Sequence, residues 1–192
     1  MTPHTQTREG KTTIVALVEN KPGVLNRVAS LFRRRAFNVD SLTVGRTHKE
    51  HISRMTIVVD SATISPYKIK ANLEKLVNVI NVQVLNETIP HVSRDLVLVK
   101  VRADGAERSN GVTSICERYP AKIIDIGPDV AIIEMSGTEE FVEKFVNELR
   151  PFEIVEMVRT GLVSMGRGTR IQDTDYQPVN IKNANGTHKT TV

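Results

Sequence analysis

Residues 19–42 read ENKPGVLNRVASLFRRRAFNVDSL, and the fold turns on how this stretch divides. An apolar run, TIVALV at 13–18, leads into it as a strand would. Asn20, Lys21, Pro22 and Gly23 then supply turn chemistry. From there Val24, Leu25, Val28, Leu31 and Phe32 recur at helical spacing, with Asn26, Arg27, Ser30, Arg33 and Arg34 opposite them. Residues 23–35 are predicted as an amphipathic helix, with Pro22 fitting its first turn. Such a strand-to-helix handover leaves unpaired backbone N–H groups at the helix start. The question is what they are offered to.

Outward from this stretch, NVDSLTVGRT and HISRMTIVVD flank HKE as two β-like runs, a hairpin. Ser65–Pro66 is a cap followed by a first-turn proline, opening a helix with Ile69, Leu73, Leu76 and Val77 on one face. VINVQVLNET alternates as a strand. The order is β-α-β-β-α-β, and the second half repeats it. RDLVLVKVRA is a strand, and residues 107–119 place Val112, Ile115, Cys116 and Tyr119 on one helical face before Pro120. KIIDIG and VAIIEMSG form a hairpin over PD. Thr138 caps a helix with Glu139 and Glu140 in its first turn and an apolar face of Phe141, Val142, Phe145, Val146 and Leu149, ended by Pro151. EIVEMVRTGLVSM is the last strand. Two α+β domains of ferredoxin-like βαββαβ type are expected, each an antiparallel sheet with two helices on one face. They span 11–89 and 93–170, joined near IPHVSR at 89–94. Residues 1–10 and the polar 171–192 are expected to be flexible arms.

Composition narrows the function classes. The 192 residues are 40% hydrophobic, 25% charged and only 4% aromatic, which fits two small domains with aliphatic cores. No run approaches the roughly 18 apolar residues of a membrane span, and MTPHTQTREGKTT does not read as a secretory signal. The single cysteine, Cys116, excludes an internal disulfide and favours a reducing cytoplasm. The net charge of +4 has its densest cluster at Arg33, Arg34 and Arg35, which suits a helix C-terminus better than a nucleic-acid patch. A ferredoxin-like sheet can stack RNA bases on strand aromatics, but strands 13–18, 52–59, 95–101 and 130–135 contain none. His48 and His51 bracket Lys49–Glu50 at a hairpin tip, a polar turn rather than a zinc site. Cys116 reads as a core thiol, and no GxSxG, GxxxxGK[ST] or GxGxxG is present.

What remains is ENKPGVLNRV. A helix N-terminus favours anions, Gly23 lets a ligand approach the backbone, and Asn20 adds a donor and an acceptor. With aliphatic Val24, Leu25 and Val39 nearby, the combination suits an amino acid with an aliphatic side chain. The same pattern serves equally as a β–α turn with no ligand.

VENKPGVLNRVASLFRRRAFNVDSLTVG, SRMTIVV, LEKLVNVINV, RDLVLVKV, AKIIDI and EIVEMVRTGLVSMGRG resemble, in order over residues 11–170, the small regulatory subunits of acetolactate synthase (acetohydroxyacid synthase). NKPGVL alone would indicate only an ACT domain, the amino-acid-sensing version of the ferredoxin-like fold. The resemblance implies an N-terminal ACT domain, a C-terminal ACT-like domain and no catalysis by this chain. It implies a separate large catalytic subunit carrying thiamine diphosphate, magnesium and FAD, which condenses pyruvate with pyruvate or 2-oxobutyrate. The small subunit would activate that enzyme and confer feedback inhibition by valine or a related branched-chain amino acid. ACT domains pair side by side, so a homodimer is implied, with the effector at its interface. The family's contact positions fall here on Asn20, Gly23, Val24 and Leu25, and on Asn38 and Val39 from the facing protomer. Pro22 and Asn26 depart from residues often found at those places in the family. The resemblance implies no cofactor in this chain, no nucleic acid and no membrane. An ACT-type transcriptional regulator is the alternative, but its helix-turn-helix is missing. An acylphosphatase-like hydrolase lacks its phosphate loop.

Overall fold

The computed structural model describes residues 10–62, 64–85 and 89–168. In the N-terminal half, β1 (Lys11–Glu19), α1 (Val24–Arg35), β2 (Val39–Arg46), β3 (Ile52–Asp60), α2 (Pro66–Leu73) and β4 (Val79–Leu85) follow the expected order. The C-terminal half repeats it with β5 (His91–Arg102), α3 (Gly105–Arg118), β6 (Ala121–Ile126), β7 (Val130–Gly137), α4 (Glu139–Leu149) and β8 (Ile154–Arg159), and adds β9 (Val163–Gly166). The first sheet runs β2-β3-β1-β4 and the second β6-β7-β5-β8, all pairs antiparallel. These are two ferredoxin-like units, each with its helices packed on one sheet face.

Each half has its own core. Val28, Leu31 and Phe32 of α1 and Ile69 and Leu73 of α2 pack on Ile14, Ala16, Val18, Met55, Ile57 and Val59 of the central strands. In the second half Val112, Ile115, Val142, Phe145 and Leu149 meet Val97, Val99, Val101, Ile133 and Met135. Thr138 caps α4 by accepting the Phe141 amide at 3.3 Å. Arg33, Arg34 and Arg35 lie exposed in the last turn of α1, where they complement the helix dipole.

Several details differ from expectation. Helix α2 ends at Leu73, and Val77 is 92% exposed in the following turn. The chain turns back at 74–78 to reach β4, so helical spacing no longer applies there. Phe141 and Leu25 lie at the rims of their helices, exposed rather than buried. The final strand is broken at Thr160–Gly161, where φ of Gly161 is 78°, so EIVEMVRTGLVSM makes β8 and β9. Strand β5 begins at His91, inside the expected join, and its residues His91–Arg94 pair with β9.

The largest difference concerns the other face of the first sheet. Val15, Leu17, Val58 and Leu85 point away from α1 and α2, yet all are buried. The segment from the Thr160–Gly161 turn to Ser164 of β9 meets that face: Arg54 donates to the Ser164 carbonyl at 2.6 Å, and Thr43 donates to the Thr160 carbonyl at 3.0 Å. Burial on both faces explains why TIVALV is continuously apolar instead of alternating.

Candidate effector site

The N-terminal end of α1 is built by a turn rather than by the helix itself. Gly23 has φ 82° and ψ −7°, the third residue of a type II turn with Pro22 second. The Val24 amide returns to the Lys21 carbonyl at 3.4 Å and closes it. Pro22 therefore precedes the helix, contrary to its expected place in the first helical turn. As N-cap, Gly23 has no side chain to satisfy the next amides. Among the described residues, the amides of Leu25 and Asn26 have no hydrogen-bond partner. The first turn of α1 carries no acid, whereas α3 has Glu107 and α4 has Glu139 and Glu140. A Cβ placed on Gly23 would meet nothing within 4 Å. The result is an exposed set of N–H donors at the positive end of a helix dipole, chemically suited to a carboxylate.

The turn is held from both sides. Asn20 donates its side-chain amide to the Glu50 carbonyl at 2.9 Å and its backbone amide to the His51 carbonyl at 2.8 Å. The HKE hairpin thus anchors the turn. On the other side Lys21 reaches the buried Glu19 at 3.1 Å. Asn78 donates to Glu19 and accepts from Arg27. No sequence pattern joined Glu19, Asn78 and Arg27. The one available signal was Glu19, an acid closing an apolar strand.

The six expected contact residues do not meet within one chain. Asn20, Gly23, Val24 and Leu25 sit at the start of α1, while Asn38 and Val39 follow its end. Twelve helical residues separate the groups by about 18 Å at 1.5 Å per residue. Val24 turns its side chain into the core, so only its backbone faces the site. Leu25 is 48% exposed and Asn38 is exposed, while Val39 packs at the core's edge. Strand β2 is a sheet edge, with Leu42 and Val44 40% and 43% exposed on its helix side.

The C-terminal counterpart differs. Gly105 opens α3 and lines a cleft of about 250 Å³. Unlike α1, this helix start carries acids, Asp104 as N-cap and Glu107 in the first turn. Asp104 also holds Arg108 at 2.8 Å. Cys116 is buried, and that burial raises its thiol pKa, which keeps it the inert core thiol the sequence suggested. Among the described residues no group of three or more His, Cys, Asp or Glu side chains could hold a metal ion. No described helix is long and apolar enough to cross a membrane.

Comparison with known proteins identifies the family and supports the fold. Residues 14–81 match the family described as "AHAS small subunit-like ACT domain", and residues 94–168 match "Small subunit of acetolactate synthase". A "Probable acetolactate synthase small subunit" of Archaeoglobus fulgidus is 43% identical over 160 residues, covering 83% of this chain and 99% of the relative. An "Acetolactate synthase small subunit" of Mycolicibacterium smegmatis is 44% identical, covering 82% of this chain and 92% of the relative. The crystal structure of the Thermotoga maritima acetolactate synthase small subunit superposes with a TM-score of 0.75 at 37% identity, covering 83% of this chain and 99% of that one.

Proposed function

The chain belongs to the family of acetolactate synthase small subunits, and on that premise we propose that it activates a separate catalytic subunit and makes it sensitive to valine. As a regulatory subunit it associates with that catalytic chain, which in this reading carries the thiamine diphosphate, magnesium and FAD. The chain itself performs no chemistry. The observation that carries the valine reading is the α1 start: a glycine cap, two unpartnered amides, and no acid in the first turn. The valine carboxylate would take the Leu25 and Asn26 amides, with Leu25 beside its aliphatic side chain.

The site needs a second copy of the chain. Antiparallel pairing of edge strand β2 with its twin about a two-fold axis brings Val39 of one copy opposite Arg46 of the other. That carries Asn38 and Val39 of one copy to the Asn20–Gly23 end of the other. It also covers the half-exposed Leu42 and Val44 and removes an unpaired strand edge. Valine bound between the copies would then stabilise the dimer by mass action.

The test mixes purified chain with the catalytic subunit. Acetolactate formation should rise on mixing and fall when valine is added, and the chain alone should form none. Light scattering at micromolar concentration should report a dimer or larger. A monomer with and without valine, or robust acetolactate formation by the chain alone, would overturn the reading.

A further inference from the structure

The turn between β8 and β9 touches both halves of the molecule. On its own side, the Thr160 hydroxyl accepts the Leu96 amide at 3.2 Å, and its single proton has two acceptors in reach, the Gly161 carbonyl at 2.9 Å and the Asp95 carboxylate at 3.4 Å. The Thr160 amide donates to the Leu96 carbonyl at 3.0 Å. Asp95 is 3% exposed and takes Nε and a terminal guanidinium nitrogen of Arg159 at 2.8 and 2.6 Å. Glu143 of α4 holds the same guanidinium at 3.2 Å. The turn is therefore fastened to β5, β8 and α4.

Its other side rests on β2. The Thr160 carbonyl accepts the Thr43 hydroxyl at 3.0 Å. Gly161 is packed so closely that a Cβ there would collide with the Ser41 hydroxyl and lie 3.1 Å from the Thr43 hydroxyl. Any side chain there would displace the Ser41 hydroxyl, and the φ of 78° independently favours glycine. Three residues on, Ser164 accepts Arg54 of β3 through its carbonyl and shares a buried 2.7 Å hydrogen bond with Ser93 of β5. Two directional hydrogen bonds, Thr43 to Thr160 and Arg54 to Ser164, and the close approach of Gly161 thus join the halves here.

We propose that the Thr160–Gly161 turn is the element that couples the β2 edge to the C-terminal unit, so that an event at that edge is felt by β5, β8 and α4. The inference rests on the reading of β2 as the effector-site edge. Any shift of Ser41 and Thr43 on effector binding or edge pairing bears directly on the turn, which cannot yield without disturbing Asp95 and Arg159.

The test compares the parent with Gly161→Ala and with the milder Thr43→Val, which removes one hydrogen bond without adding bulk. Three quantities are read: valine affinity by isothermal titration, valine inhibition of the mixed enzyme, and the number of transitions in calorimetric unfolding of the full chain. Uncoupling predicts valine affinity within about threefold of the parent, inhibition weakened at least tenfold, and a single parent transition that splits in two. Thr43→Val should show the same changes to a smaller degree. Unchanged inhibition and an unchanged single transition in both variants would overturn the proposal. So would equal losses of affinity and inhibition, which mark local damage. Should the parent bind no valine, the effector reading falls, and the unfolding profile alone decides the coupling: a split supports it and a single transition overturns it.

Discussion

Replacing Gly23 with aspartate tests the effector site at the point where backbone and ligand would meet. Two opposed effects act on the fold. At φ 82° any side chain costs about 1 kcal/mol, less for aspartate than for most residues. Against that, an aspartate N-cap accepts the amides of the following turn, worth about 0.5–2 kcal/mol. With nothing within 4 Å of the new Cβ, the fold should keep its stability to within about 1 kcal/mol. Valine binding has no such compensation. The new carboxylate takes the Leu25 and Asn26 amides for itself and stands beside the ligand's own charge. At about 4 Å the repulsion is about 1 kcal/mol in water and about 4 kcal/mol at an effective dielectric of 20. That range corresponds to a loss of about fivefold to about a thousandfold in affinity, the larger figure applying if a second copy encloses the site. Gly23→Ala is the control, since it carries the backbone strain without charge. Isothermal titration should rank parent, alanine and aspartate in falling order, with the last gap narrowing in high salt. Both variants should still activate the catalytic subunit. If Gly23→Asp binds valine as tightly as Gly23→Ala, the carboxylate does not sit at the start of α1.

Three further expectations follow from the packing. Phe145→Ala, in the centre of the second core, should cost about 3–5 kcal/mol in denaturant unfolding, whereas Val77→Ser, on the exposed turn after α2, should change stability by no more than about 0.5 kcal/mol. Arg159→Met should cost about 3–5 kcal/mol, because it leaves the Asp95 carboxylate buried without its guanidinium; replacing both residues by apolar ones should recover much of that loss, which a double-mutant cycle would read. Tyr119 donates its hydroxyl to Glu148 at 2.6 Å, and that bond, then burial, then the Glu148 charge raise the phenol pKa. In Glu148→Ala the tyrosinate absorbance should therefore appear at lower pH than in the parent, and an unmoved or higher midpoint would contradict the contact.

Much of the fold was legible because it is written in local periods. Helical spacing at 24–32 and 141–149, turn residues at Pro120 and Pro151, and the Thr138 cap each act within a few residues. Their order alone implied two βαββαβ units. The N–H donors at the start of α1 were legible for the same reason, since a proline–glycine turn after a strand is a local event. Their conformation was less so: Pro22 could equally have begun the helix, and only the closed Lys21–Val24 turn shows that Gly23 is left-handed.

The rest depended on which parts of the chain come together. Nothing near Val24 says that its side chain belongs to the core while its neighbour Leu25 stays outside. No spacing rule joins Asn78 to Glu19, 59 positions apart, or Ser164 to Arg54, 110 apart. The run TIVALV reads correctly as a strand, but its continuous apolar character carries a further signal that periodicity alone does not resolve. An apolar run such as TIVALV is compatible with an ordinary core strand, and only the placement of β9 shows that its second face is covered as well. Sequence therefore determined the elements, their order and the donor-rich turn, all set by neighbours along the chain. Tertiary structure decided that Val24 turns into the core and Val39 packs at its edge while Leu25 and Asn38 stay exposed. It also decided that, among the described residues, β2 is an edge strand of its sheet while its outer face meets the C-terminal unit, because both facts depend on contacts between segments far apart in sequence.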